Sequence, residues 1–407
     1  MRRRQKLQRE REKRELEVTT MRWLIATRPW SFTISLIPVA FANLLAASVL
    51  YNGRHVLTTG AEAAQALLHG EPISWSWATC FLTLFGILFI HAAGNLTNTY
   101  FDFVSGNDQK DTASDRTLFD LGLSPLQVLL FCMGCYLASA LIGCYVMLHW
   151  GALFVWYLLL GAVLTWSYTA QPLKLKARAM GDLVIFLCFG PLPVCGTYFL
   201  QTNFTLGALR HQQQELSWEE GSWGLWTSFA SFLTNLWGSI PFWYSIPMGL
   251  LAVAILHVNN TRDILADKRA NTTTLAQLLG LHNCYRYYLF LLLSSYAFVM
   301  GLSVYYCTWI LDWGSRSADA AAAGHHAPLS WVGWLTLLAL NLPLASLPTA
   351  LSLIAAFKNT NGREPFLTER TAQFASQFGG LWCLALLFSF LLLKASSPTT
   401  TPTATEI

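Results

Sequence analysis

The chain reads as an all-α, polytopic membrane protein, and three observations carry that reading. Of its 407 residues, 54% are hydrophobic and only 12% are charged, whereas a soluble domain carries about 25% charged residues. Its mean hydropathy is positive, at +0.41. Apolar runs of roughly 20 residues, long enough to cross a bilayer as helices, recur along the chain with polar segments between them. Nine spans are expected, near 30–50, 77–101, 126–147, 152–169, 181–200, 242–261, 286–310, 331–356 and 373–393.

The basic residues orient these spans. Residues 1–22 hold nine Lys or Arg and four Glu and read as a basic cytosolic tail. With that tail in the cytosol, alternate loops gather 22 of the 26 Lys and Arg on the same side, the bias expected of cytosolic loops. The membrane domain then runs over 23–394, and the Ser/Thr/Pro-rich stretch 395–407 reads as a disordered tail. Residues 201–240 form a long non-cytosolic loop whose Trp218, Trp223, Trp226 and Trp237 suit a segment lying on the membrane surface. Asn203-Phe204-Thr205 within it is a glycosylation sequon. The nine cysteines sit mostly in apolar runs. Cys132 and Cys135 are spaced C-x-x-C without a second pair or His at zinc spacing, so they read as small packing residues. A lipid bilayer is the expected environment, and no nucleic-acid partner is expected.

Two polar stripes close two of the apolar runs. The first holds Asn98 and Asp102, with Asp108 after Gly106; the second holds Asn259, Asp263 and Asp267. Positions four apart stack on one helix face, so Asn259, Asp263 and Asp267 are expected to form a single polar stripe. Asp108 is six residues beyond Asp102, which on a helix would point it away. Gly106 is therefore expected to end the helix and let the chain bring Asp108 back. Ionisable groups near membrane depth are costly and mark function by default. Two such stripes on the same side predict a site for a hard cation, with Asp102, Asp108, Asp263 and Asp267 as ligands. Mg²⁺ is bound in this way, through few carboxylates plus the oxygens of a phosphorylated substrate.

Cations lie beside the acids. The loop Tyr168-Thr169-Ala170-Gln171-Pro172-Leu173-Lys174-Leu175-Lys176 emerges on the same side, and Arg262 sits inside the second stripe. Lysine can hold phosphate oxygens as a point charge and arginine can hold them through two nitrogens. Arg116, in Ser114-Asp115-Arg116-Thr117, is a candidate clamp over the mouth of the site. Paired acids are also normal in transporters, but here they gather at one face instead of forming a path across the membrane.

Four separated stretches, together with the Tyr168–Asp182 segment, carry a family resemblance. They are Arg28-Pro29-Trp30-Ser31-Phe32-Thr33, Gly94 to Phe103, Ser114 to Thr117, and His257 to Asp263. On these residues the chain resembles the UbiA superfamily of intramembrane aromatic prenyltransferases, and within it the menaquinone branch and the animal members. The resemblance runs from about Arg28 to Leu393. It implies a nine-helix bundle with a cavity open to lipid and a cytosolic-side active site. It also implies that the four aspartates, helped by Asn98 and Asn259, hold Mg²⁺ and a prenyl diphosphate, with Lys176, Arg262, Arg116, Lys174, Tyr168 and Arg28 as substrate-binding residues. The implied donor is geranylgeranyl diphosphate and the implied acceptor a quinol such as menadiol, with 4-hydroxybenzoate as the alternative. A regulatory membrane-protein partner in the sterol or isoprenoid pathway, and an endoplasmic reticulum or Golgi membrane with mitochondria as the alternative, complete the expectations.

Overall fold

The computed structural model describes residues 20–51, 76–106, 108, 110, 115–150, 152–211, 221–307 and 331–396. Most of the basic tail, nearly all of 51–75, the 311–330 segment and the chain after 396 lie outside the described residues. Residues 20–26 are helical, and a 3₁₀ turn at Pro29–Phe32 leads into α1 (Thr33–Tyr51). The membrane helices that follow are α2 (Trp77–Val104), α3 (Pro125–Trp150), α4 (Leu153–Thr169), α5 (Gly181–Phe189) and α6 (Pro191–His211). The second half holds α7 (Gly221–Gly238), α8 (Ile240–Arg262), the short α9 (Ile264–Arg269) and α10 (Leu275–Tyr306). It ends with α11 (Trp331–Leu340), α12 (Leu347–Thr360) and α13 (Leu367–Ser396).

Each of the nine expected spans coincides with a helix or a broken pair of helices. Eight of the described helical segments are long and apolar enough to cross a membrane, and α4, at 17 residues, is a shorter apolar helix. Three boundaries differ from expectation. The span expected at 286–310 begins at Leu275 and bends at Gly280, whose φ is +70°; the polar residues between 277 and 286 hide this first part of the helix. The span at 181–200 is broken at Gly190 and runs on to His211. The region expected as one long loop over 201–240 is helical at both ends, because α6 enters it and α7 fills its second half. Trp226 and Trp237 on α7 are exposed, while Phe229 and Phe232 pack against Trp156 and Tyr157 of α4.

The outer faces are apolar, as a bilayer requires. On α3, Leu126, Leu130, Leu137 and Leu141 form one stripe and are 61–63% exposed, a pattern that in water would mark an interaction surface. Inside, α1 packs against α2, α6, α8 and α13, and Phe41 on it meets Trp382 with ring centroids 4.4 Å apart. Helices in lipid gain little from apolar burial alone, so close packing and polar contacts must join them. A Cβ on Gly190 would lie 2.9 Å from Gly249 Cα, and one on Gly249 would lie 2.7 Å from Phe186 Cδ2. The α5–α6 break therefore rests directly on α8. Hydrogen bonds between Tyr288 and Thr371 (2.9 Å) and between Tyr296 and Ser346 (2.8 Å) tie α10 to α13 and to the α11–α12 connection.

One end of this bundle collects the polar chemistry. Contacts there join the turn at Arg28, the segment after α2, the α4–α5 loop and the segment after α8.

Candidate active site

The first acidic stripe sits where α2 stops. Asp102 is buried in the last full turn. Gly106 takes φ +76°, and the Asp108 backbone N–H then donates to Asp102 O at 3.1 Å. The glycine thus folds the chain back and sets Asp108 beside Asp102, as its position in the sequence anticipates. Burial, and after it the neighbouring Asp102 and Asp115, push the Asp108 carboxyl up to about 6. Asn98 lies half-buried one turn before Asp102.

The second stripe runs across a helix break. Helix α8 ends at Arg262, Asp263 adopts φ −94° and ψ 8°, and α9 begins at Ile264. The axis is interrupted but the stripe survives. Asp263 N–H still donates to Asn259 O at 3.0 Å, and Asp267 N–H to Asp263 O at 2.9 Å. Arg262 bridges this stripe, with its guanidinium on both Asp263 oxygens (2.8 and 2.9 Å) and on Asn259 Oδ1 (2.5 Å). Burial pushes the Asp267 carboxyl up to about 6, with Lys176 opposing the rise and Asp263 and Asp102 adding to it.

The α4–α5 loop delivers the lysine that faces both stripes. Ala179 N–H donates to Thr273 O at 2.8 Å and Thr273 N–H to Ala177 O at 3.1 Å. These two bonds stitch the loop to the chain beyond α9, a pairing with no periodic signal in the sequence. Lys176 Nζ then lies 2.9 Å from Asp102 Oδ2. Burial opposes its charge, but Asp102 first and other neighbours including Asp267 outweigh this and hold the ammonium protonated above its usual range. Lys174, with φ +42°, lines the same opening.

Among the described residues, no three His, Cys, Asp or Glu side chains converge as a ready-made metal cluster. The acids stand as two pairs with Lys176 between them. That donor set fits Mg²⁺, which keeps several waters and takes one or two carboxylates plus phosphate oxygens instead of an all-protein cage. Burial first, and neighbouring carboxylates after it, raise the Asp108 and Asp267 carboxyls, and a bound dication would offset both costs.

Two of the expected substrate-binding residues are paired with carboxylates in this structure. Arg28 donates to Asp115 at 2.5 Å and to Thr99 Oγ1 at 3.2 Å. Burial alone would raise the Asp115 carboxyl. Arg28 and the hydrogen bonds from Thr117 and Thr99 outweigh it and hold the group below the usual carboxylate range. Arg28 therefore anchors the segment after α2 to the start of α1. Arg116 was expected to clamp phosphate, but it forms a two-pronged pair with Asp120, both contacts 2.9 Å. That pair is the four-residue spacing favoured on one helical turn. The motif Ser114 to Thr117 thus contributes Asp115, a residue the sequence reading passed over because its partner is 87 positions away.

A polar cavity of about 190 Å³ opens beside Asp102, lined by Asp102, Tyr168, Lys174, Lys176 and Asn271 among others. Within the span region lies a second, tighter cavity of about 40 Å³, lined mainly by apolar side chains of α2, α4, α5 and α6. A charged head could be held at the first and an apolar body in the second.

Comparison with known proteins identifies the family and the fold. A profile of the UbiA prenyltransferase family matches residues 56–323. The UbiA prenyltransferase domain-containing protein 1 of Dictyostelium discoideum is 32% identical, over 90% of this chain and 87% of its own length. The protein of that name from Homo sapiens is 30% identical, over 92% of this chain and 85% of its own. The fold is similar to that of a UbiA homolog from Archaeoglobus fulgidus bound to GPP and Mg²⁺. That similarity has a TM-score of 0.51 and 11% identity, over 92% of this chain and 99% of that one. An apo UbiA homolog from Aeropyrum pernix K1 aligns with a TM-score of 0.50 and 11% identity, over 86% and 96% of the two chains. By its sequence match, its helical bundle and the two acidic stripes at one end of it, the chain belongs to the UbiA prenyltransferase family.

Proposed function

We propose that this membrane protein transfers a geranylgeranyl group from geranylgeranyl diphosphate to menadiol, forming menaquinone-4. The observation that carries the reading is the meeting of two carboxylate pairs and Lys176 at one end of the bundle, above an apolar cavity. Asp102 and Asp108 would hold one Mg²⁺, and Asp263 and Asp267 a second, with Asn98 and Asn259 as neutral oxygen donors. The solved A. fulgidus homolog, bound to GPP and Mg²⁺, supports this assignment. Bound there, Mg²⁺ supplies positive charge against the departing diphosphate.

The protein's own groups do the rest. Lys176 moves from Asp102 to a diphosphate oxygen, and Arg262 shares the same negative charge from the second stripe. The apolar cavity keeps water from the allylic cation, and aromatic faces nearby stabilise it. Tyr168 and Lys174 border the opening where the diphosphate leaves. Arg28, through Asp115, positions the segment carrying Asp108. The basic tail and the sequon at Asn203 support an endoplasmic reticulum or Golgi membrane, which imaging of the tagged full chain tests.

The deciding experiment uses purified protein in lipid with Mg²⁺ and geranylgeranyl diphosphate, offered menadiol and 4-hydroxybenzoate in parallel. Prenylated menadiol that disappears with EDTA and in Asp263→Ala is the expected result. Prenylated hydroxybenzoate alone would overturn the acceptor assignment, and no product with either acceptor would overturn the transferase reading.

A further inference from the structure

The apolar cavity has a polar corner at Ser35 and His91, and its hydrogen-bond directions can be worked out. His91 of α2 is buried with Nε2 at 3.1 Å from Ser31 Oγ and Nδ1 at 2.8 Å from Ser35 Oγ. Ser31 has a single hydroxyl proton, which goes to Arg28 O at 2.8 Å. The Asn95 amide nitrogen donates to Thr27 O at 2.9 Å and to Ser31 Oγ at 3.1 Å. Ser31 Oγ can therefore only accept from His91, so the His91 proton sits on Nε2 and Nδ1 is bare. Ser35 must then donate to Nδ1, leaving the lone pairs of Ser35 Oγ as acceptors. Ser35 and His91 both line the cavity. Edge contacts from Phe32 and Phe189, with centroids 5.2 and 4.9 Å away, hold the imidazole in place.

This corner shares a helix face with the carboxylate site. His91, Asn95, Asn98 and Asp102 follow the i, i+4, i+7, i+11 spacing of one stripe on α2. The helical rise puts His91 about 16 Å from Asp102 along the axis. No Lys, Arg, Asp or Glu is among the described residues that line the cavity, so an acceptor carrying a carboxylate would be buried there unpaired.

We propose that Ser35 and His91 form the hydroxyl-binding end of the acceptor pocket, taking a neutral quinol or phenol whose O–H donates to Ser35 Oγ. The inference rests on the prenyl-transfer reading and specifies the acceptor it serves. In the reaction the acceptor O–H stays hydrogen-bonded to Ser35 Oγ, which pushes electron density onto the ring. The ring carbon bonds to C1 of the allyl group while the C1–O bond to diphosphate breaks. The ring C–H proton then leaves with the diphosphate and aromaticity returns. Atoms and charge balance without a further reactant.

The test measures binding separately from turnover. Menadiol, kept reduced under nitrogen, is titrated into the full chain in lipid nanodiscs beside its dimethyl ether, which has the same bicyclic ring and no O–H. Loss of one hydrogen bond to a buried acceptor corresponds to an affinity change of about tenfold. Menadiol is expected to bind the wild-type protein about tenfold more tightly than the ether. Ser35→Ala should remove that difference, lowering kcat/KM for menadiol while leaving KM for geranylgeranyl diphosphate unchanged. Equal binding of diol and ether by the wild-type protein overturns the proposal whatever the variant does. So does a Ser35→Ala effect confined to the donor, which would make the cavity the seat of the isoprenoid tail. A wild-type protein that discriminates diol from ether yet makes no product would sink the transferase reading and leave the pocket assignment standing.

Discussion

Lys176→Met tests whether the lysine is a substrate group or only a counter-ion for Asp102. The pair is 2.9 Å apart, with the Lys176 side chain 26% exposed and that of Asp102 9% exposed. Methionine keeps most of the packing stem and removes the charge. A hydrogen bond to a charged group contributes about 1.5–3 kcal/mol, so geranylgeranyl diphosphate should bind about 10- to 150-fold more weakly. Mg²⁺ alone should bind as tightly as before or more tightly, because the aspartates lose a competing cation. The variant without Mg²⁺ should also be less stable, since Asp102 loses its partner. Breaking a buried pair costs about 3–5 kcal/mol, and partial exposure of the lysine brings this down to about 1–3 kcal/mol. The assay is calorimetric titration in nanodiscs with Mg²⁺ first and a non-hydrolysable donor analogue second. Unchanged donor affinity together with weakened Mg²⁺ binding would refute the reasoning and make Lys176 a scaffold for the metal ligands.

Four further outcomes are expected. Asp108 and Asp267 are raised to about 6 by burial first, so the folded state takes up protons that the unfolded chain releases. The stability these two groups contribute is lost as pH rises through about 6. Without Mg²⁺ the protein should therefore melt higher at pH 5.5 than at pH 7.5, and saturating Mg²⁺ should raise the melting temperature more at pH 7.5. Gly249→Val should destabilise the fold by about 1–3 kcal/mol through overpacking, because its Cβ would meet Phe186 at 2.7 Å. Gly134→Ala, with nothing within 4 Å of the added carbon, should not lower the melting temperature, since alanine is the better helix former. A double-mutant cycle of Arg28→Ala and Asp115→Ala should give a coupling of about 1–3 kcal/mol, read from the Mg²⁺-free melting transition, and additive effects would deny the anchor role.

The parts of the site that were legible in the sequence are those set by local spacing. Asp108 returns to Asp102 because Gly106 can take positive φ, and the glycine two residues before an acid is visible in the chain. Asn259, Asp263 and Asp267 follow one another at four-residue steps, which survive even the break at Asp263. The break itself was not legible, since Arg262 to Asp267 contains neither Gly nor Pro. Long-range partners were hidden for a different reason. Arg28 reads as a free cation until the fold brings Asp115 to it, and Arg116 reads as a clamp until Asp120 occupies it. The serine–histidine corner escaped notice because Ser35 and His91 each look like lone polar residues in apolar runs. Only the crossing of α1 and α2 makes them a pair.

That crossing gives α2 two separate tasks in two solvents. Its last turn faces the polar opening with Asp102, and its middle faces the apolar cavity with His91. A prenyl diphosphate and an aromatic ring partition in the same way, the one carrying its charge at the head and the other almost none. Holding both on a single rigid stripe fixes the distance between the leaving group and the attacking ring without a hinge, which is how positioning lowers a barrier. The stripe can do so only if α2 stays straight between residues 91 and 102. Close packing against α4 holds it in place: a Cβ on Gly94 would already press on Thr165 at 3.2 Å. A bulky residue at Gly94 would push α2 off α4 and change the spacing of both ends at once. Gly94→Leu should therefore lower kcat while Mg²⁺ binding at the carboxylates and menadiol binding at Ser35, each measured alone, stay within about threefold of wild type. Loss of either binding step on its own, with kcat per bound complex intact, would show that the two ends are positioned independently.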